Sequence, residues 1–144
     1  MEYDWETRGL EDMIGAKINN VAMSTEYLAF DTDKGTFGFC VVGDCCSWSY
    51  FYDFHGVHKL LVNGPVVSAE EIPLEADDYT GSECVQAYGY RIITESPVWG
   101  EQSSVFSFRN ESNGYYGGWM EPTNRDWTEF FQNHELNKDV VTLD

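Results

Sequence analysis

Between residues 17 and 42 the chain alternates short runs of Val, Ile, Phe and Tyr with turns bearing Asp, Asn and Gly, and that rhythm admits few folds. Residues 17–23 and 26–30 each suit a strand, Asp33-Lys34-Gly35 suits a tight turn, and residues 36–42 suit the returning strand. Runs of this kind joined by short turns predict an antiparallel meander. Strand signals return at residues 66–72, 84–94 and 104–110, and residues 115–120 could form one more. Residues 46–61 change character. Trp48, Phe51, Tyr52 and Phe54 do not alternate cleanly, which predicts a short helix or two ending before Gly56 and Asn63-Gly64. Trp127, Phe130 and Phe131 sit at helical spacing, so a short helix is expected over 126–131. The sum is an α+β, mainly antiparallel β domain, a sandwich or strongly bent sheet, with about seven strands and one or two short helices. All 144 residues fit one domain, with 1–13 as an N-terminal arm or short helix.

Charge narrows the partners. Eight basic residues stand against 25 acidic ones, a net charge of −17. Binding to nucleic-acid backbone depends on Lys and Arg displacing counterions, so direct nucleic-acid binding is not expected. Anionic membrane surfaces are disfavoured on the same ground, and no apolar run approaches the ~20 residues of a membrane span. The N-terminal residues, acidic and aromatic with Tyr3 and Trp5, are the reverse of a signal peptide. The expectation is a cytoplasmic protein, the host cytoplasm if phage-encoded. The acids serve solubility, or they present a nucleic-acid-like face that occupies a basic host protein. Their spread along the chain, densest at Glu70, Glu71, Glu75, Asp77 and Asp78, favours solubility.

No catalytic set or cofactor emerges. Cys40, Cys45, Cys46 and Cys84 are expected as reduced thiols, and the adjacent pair cannot bridge without strain. Cys45 and Cys46 with His55 and His58 supply zinc-type ligands, but the usual C-x₂-C spacing is missing. Joining either cysteine to His55 and Asp53 as a nucleophilic set has no oxyanion loop to support it. The chain reads as a binding protein, not an enzyme.

The stretch most suited to binding runs from Arg109 to Trp119. Asn113-Gly114 favours a tight turn, and Gly117-Gly118 allow close approach to the backbone. Alternation puts Phe106 and Phe108 on one face and Ser107 and Arg109 on the other, with Tyr88, Tyr90 and Arg91 on a neighbouring strand. Guanidinium forks suit phosphate and rings suit a base, so Arg109, Arg91, Tyr88, Tyr115, Tyr116 and Asn113 are candidate ligand contacts. The same residues could instead pack the end of a sandwich, with the arginines paired to neighbouring acids. Screening over about 8 Å lets a local arginine pair hold a diphosphate despite the overall charge, provided the pocket is recessed. A pocket shared between subunits of a homo-oligomer would concentrate the scarce arginines.

Gly43-Asp44-Cys45-Cys46-Ser47, the Gly64-Pro65 segment and Ser112-Asn113-Gly114-Tyr115-Tyr116 carry a resemblance, supported by residues 14–18 and Glu70-Glu71. Together they resemble a phage and prophage domain that is similar to the Thoeris anti-defence sponge family, over residues 13–121. The resemblance implies a non-enzymatic oligomer that sequesters cyclic ADP-ribose isomers made by host TIR-domain defence enzymes. It implies ligand roles for Arg109, Asn113, Tyr115 and Tyr116. The chain departs from that pattern at Gly117-Gly118-Trp119 and in the acidic, aromatic extension over 122–144.

Overall fold

A computed structural model describes residues 9–43, 47–73, 78–80, 83–112 and 118–143. The first hairpins form as the alternation predicts. After a 3₁₀ turn at Leu10–Met13, β1 (Ile18–Met23), β2 (Tyr27–Thr32) and β3 (Gly35–Gly43) pair antiparallel, with Asp33 and Lys34 as the two-residue turn. β9 (Gly118–Pro122) adds to β3, giving a four-stranded sheet in the order β1-β2-β3-β9.

The second sheet is built from β4 (Trp48–His55), β5 (Val66–Pro73), β6 (Asp78–Thr80), β7 (Glu83–Ser96), β8 (Gly100–Ser112) and β10 (Val140–Thr142). Its order is β10-β4-β8-β7-β5, with β6 also pairing β7, and every pairing within it is antiparallel. α1 (Val57–Val62) follows β4, and α2 (Thr128–His134) follows β9. Among the described residues, ten strands in two sheets with two short α-helices form the β-rich α+β fold expected, with more strands than the count from sequence.

One expectation needs correction. Residues 48–55 are a strand, and the helix is confined to 57–62. The register between β4 and β8 shifts between Phe51 and Asp53, a bulge that leaves Tyr52 without an opposite residue. Phe51 and Phe54 therefore both point inward at a spacing of three, which imitates a helical period.

The sheets enclose an aromatic core. Phe30 of β2 lies 6.2 Å from Phe39, from Phe54 and from Phe106, linking the two layers. Phe54 stacks on Phe106 at 5.4 Å and Tyr90 on Phe106 at 5.3 Å. Each such buried phenyl contributes about 1.5–3 kcal/mol, so the inner faces supply much of the drive to fold.

The outer face of the four-stranded sheet is also covered. Ala22, Ala29 and Gly38 lie opposite one another across β1, β2 and β3. Trp127 fills the resulting notch: a Cβ built on Gly38 would come 2.0 Å from its ring. Phe130 and Tyr27 complete this second cluster with T-shaped contacts at 5.3 and 5.9 Å to Trp127. The Asp126 carboxylate accepts from the Thr128 N–H at 3.0 Å, just ahead of α2, which holds it below the usual carboxylate range.

Candidate functional site

The outer face of the six-stranded sheet, by contrast, is not covered by a helix among the described residues. Strand alternation fixes what it presents. Opposite Phe108 and Phe106, which point inward, the outward positions on β8 are Glu111, Arg109, Ser107 and Val105. The facing residues of β4 are Trp48 against Glu111, Tyr50 against Arg109 and Asp53 against Ser107. The bulge adds Tyr52 to this face, and the Arg109 guanidinium lies over its ring, 3.4 Å from the centroid. Cation–π stacking of this kind holds a flexible arginine in one orientation. Trp48, 60% exposed, lies 4.4 Å from Tyr50 with the rings tilted by 34°. Three rings and a guanidinium thus line one end of the sheet. Burial, then the charge and hydrogen bond of Glu111, raise the Tyr50 hydroxyl above its ordinary pKa, while Arg109 opposes the shift.

Next along the face, Asp53 accepts from the Ser107 hydroxyl and lies 3.2 Å from Nε2 of His55. Serine, aspartate and histidine are all present, but the order is wrong for nucleophilic catalysis. The carboxylate sits between the other two, so the imidazole does not reach the hydroxyl it would have to deprotonate. Among the described residues no group of three or more His, Cys, Asp or Glu side chains could hold a metal ion. Cys45 and Cys46 lie outside the described residues.

The candidate contacts read from sequence separate into three groups. Arg109 occupies the outward end of β8 as alternation required. Arg91 shares that outer face but pairs with Glu70, its Nε at 3.1 Å and Nη2 at 2.5 Å from Oε1. β7 places Ala87 opposite Arg109 and Val105 opposite Arg91, so the two arginines stand about 13 Å apart along the strand. Tyr88 is on the other face, stacked on Phe108 at 4.9 Å with its hydroxyl donating to Gln86 at 2.9 Å. It belongs to the core, because Tyr88 and Arg91 are three residues apart on one strand and face opposite ways. Asn113, Tyr115 and Tyr116 lie outside the described residues.

Sequence reasoning missed Trp48, Tyr50 and Tyr52, the rings now placed beside Arg109. Their signal is the aromatic run itself, whose broken alternation imitates a helix.

The strands carrying both sequence motifs meet at this end. Gly43, where β3 ends, is paired with Gly118, where β9 begins. Between them sits Asn110, fully buried, whose Nδ2 donates to Ser49 Oγ at 2.8 Å and Ser47 Oγ at 3.2 Å. The Ser49 hydroxyl donates in turn to the Val42 carbonyl at 3.1 Å. A Cβ on Gly118 would fall 2.2 Å from Ser49 Oγ, and one on Gly43 would fall 2.6 Å from Ser47 Oγ. Both glycines make room for this hydrogen-bonded seam, which ties the ends of the two sheets together beside the arginine.

Two grooves among the described residues flank α2 on the opposite sheet. No helix among the described residues is long and apolar enough to cross a membrane.

Comparison with known proteins places the sequence. The family described as a domain of unknown function (DUF7448) matches residues 11–121. That stretch spans both sheets except β10 and the last residue of β9, and stops before α2. The uncharacterized protein L278 of Acanthamoeba polyphaga mimivirus is 33% identical over 107 residues, covering 73% of this chain and 81% of that protein. No solved structure matches. With most of its length inside the match and a relative in a giant virus, the chain belongs to the DUF7448 family.

Proposed function

We propose that the chain is a non-enzymatic binding protein that sequesters a nucleotide signal of the cyclic ADP-ribose type in phage counter-defence. The observation that supports it is the Arg109 guanidinium held over Tyr52 beside Tyr50 and exposed Trp48. In this reading a base stacks on the exposed rings, and phosphate meets the edge of the guanidinium. The resemblance of the Asp-Cys-Cys and Ser-Asn-Gly-Tyr-Tyr strings to the anti-defence sponges supplies the ligand class, and a viral relative is in keeping with it.

Charge sets a condition on the proposal. Glu111 and Asp53 flank Arg109, and Arg91 is committed to Glu70. A diphosphate therefore needs a further cation, which a second copy of the chain in a homo-oligomer provides. Asn113, Tyr115 and Tyr116 complete the proposed contact set, on the connection that leaves β8 after Ser112 and enters β9 at Gly118.

Thermal melting with cyclic ADP-ribose isomers and cyclic di- and trinucleotides tests the reading. A ligand at 100 times its Kd adds about 2.7 kcal/mol to stability. The expected result is a raised Tm with one nucleotide class, with the nucleotide recovered chemically unchanged. A flat response to every nucleotide overturns the proposal, and turnover of the ligand overturns its non-enzymatic part.

A further inference from the structure

The groove between α2 and the four-stranded sheet differs from the rest of this acidic surface. It encloses about 580 Å³, within the ~300–1,000 Å³ of small-molecule sites. Its floor follows from strand register. Asn20 of β1, Asp31 of β2 and Thr36 of β3 lie opposite one another, forming a polar row beside the Ala22–Ala29–Gly38 notch that holds Trp127. Asn124 and Gln132 bring two more amides from the α2 side, and half-buried Phe131 adds an apolar wall.

Charge identifies the kind of ligand. Four lining side chains are charged, and they cancel: Asp31 and Asp126 against Lys34 and Arg125. In a chain of net charge −17 this groove is locally neutral. Arg125 is turned toward aromatic rings, 4.7 Å from the Tyr27 centroid and 5.4 Å from that of Trp127. The lining thus offers amides and hydroxyls beside the carboxylates of Asp31 and Asp126 and the ammonium of Lys34, with a ring at the side. A carboxylate accepts strongly from hydroxyl groups, amides both donate and accept, and a ring edge or face covers C–H surface.

We propose that this groove is a second ligand site, independent of Arg109, for a neutral polyhydroxylated molecule of one or two sugar rings. One wall is formed by residues 122–132, beyond the 11–121 family match. Asp31 accepts hydroxyl hydrogens at the floor, and Asn124 and Gln132 bind the outer hydroxyls.

The test is a ¹H–¹⁵N NMR titration of the full chain with methyl glycosides of glucose, galactose and mannose, N-acetylglucosamine, maltose and lactose. At least one sugar is expected to shift the amides of Asn20, Asp31, Thr36 and Gln132 while leaving β8 unmoved. Asp31→Asn should weaken that sugar about tenfold or more, the loss expected for a hydrogen bond to a charged group. Gln132→Ala, exposed on α2 and harmless to the core, should weaken it less. Arg109→Ala should leave it unchanged. Absence of groove shifts with every sugar overturns the proposal. So does undiminished binding by a folded Asp31→Asn chain, or a response confined to charged amino acids such as glutamate and lysine.

Discussion

The two sheets turn opposite kinds of outer face to their surroundings. On the four-stranded sheet Ala22, Ala29 and Gly38 form a shallow notch, and α2 closes over it through Trp127. On the six-stranded sheet the corresponding outward positions carry Trp48, Tyr50, Tyr52, Asp53 and Arg109. A helix can cover the first face because small residues leave a space that an indole fills with close contacts. It could cover the second only by burying a guanidinium and a carboxylate, at a cost that packing there would not repay. Coverage is thus decided by side-chain size and polarity at a few cross-strand positions. The face that no described helix covers is the one with chemistry to offer a ligand.

The largest expected effect comes from emptying the notch. Trp127→Ala should cost about 3–5 kcal/mol, as truncation of a buried tryptophan does. Filling it from the other side with Gly38→Ala should cost about 1–3 kcal/mol, because the added methyl displaces the ring. Either change should raise amide hydrogen exchange over 122–136 well before exchange over β8. Equal loosening of β8 would mean that the two faces are not separable units, and the comparison would fail.

Arg109→Ala makes the complementary change on the open face. Its stacking on Tyr52 contributes about 0.5–2 kcal/mol for a half-buried guanidinium, so Tm in the absence of ligand should fall less than on emptying the notch. The nucleotide-dependent rise in Tm should disappear. A large loss of stability with binding intact would assign Arg109 to the scaffold and remove it from the proposed site.

Much of this division was legible in the sequence. The alternation over residues 17–42 specified the first hairpins, and the parity of Phe106, Phe108 and Arg109 specified which way the arginine faces. Tyr88 could have been separated from Arg91 by the same parity, since an odd spacing on one strand reverses the face. The strand at Trp48–His55 was hidden by its bulge, which replaces a period of two with the spacing of three from Phe51 to Phe54. The helix at Trp127, Phe130 and Phe131 was visible as a spacing, but its seat was not. Ala22, Ala29 and Gly38 come together only through the register of three strands, which depends on the pairing of distant segments. Similarly, β6 and β10 contribute three residues each, too few to display a period.

The smallest expected effect contrasts two tyrosines on opposite faces of the six-stranded sheet. Tyr90 faces inward, and its hydroxyl is pushed up to about 12 by burial first and then by the charge and hydrogen bond of Glu71, with Glu11 adding to it. Tyr50 faces outward and is raised for similar reasons, with Arg109 working against the shift. The unfolded phenol titrates near ~10. A raised folded pKa means that the fold favours the neutral phenol. That contribution is complete below pH ~10 and is lost as pH rises through about 12. Lys17, lowered chiefly by burial, acts with the opposite sign in the same range, so the informative quantity is the difference between variant and parent. Tyr90→Phe should flatten the fall of Tm between about pH 9 and 11.5 relative to the parent, and Tyr50→Phe should flatten it less. If Tyr50→Phe produced the larger change, the outward ring would be the more tightly enclosed of the two, and the six-stranded sheet's outer face could not be the open one.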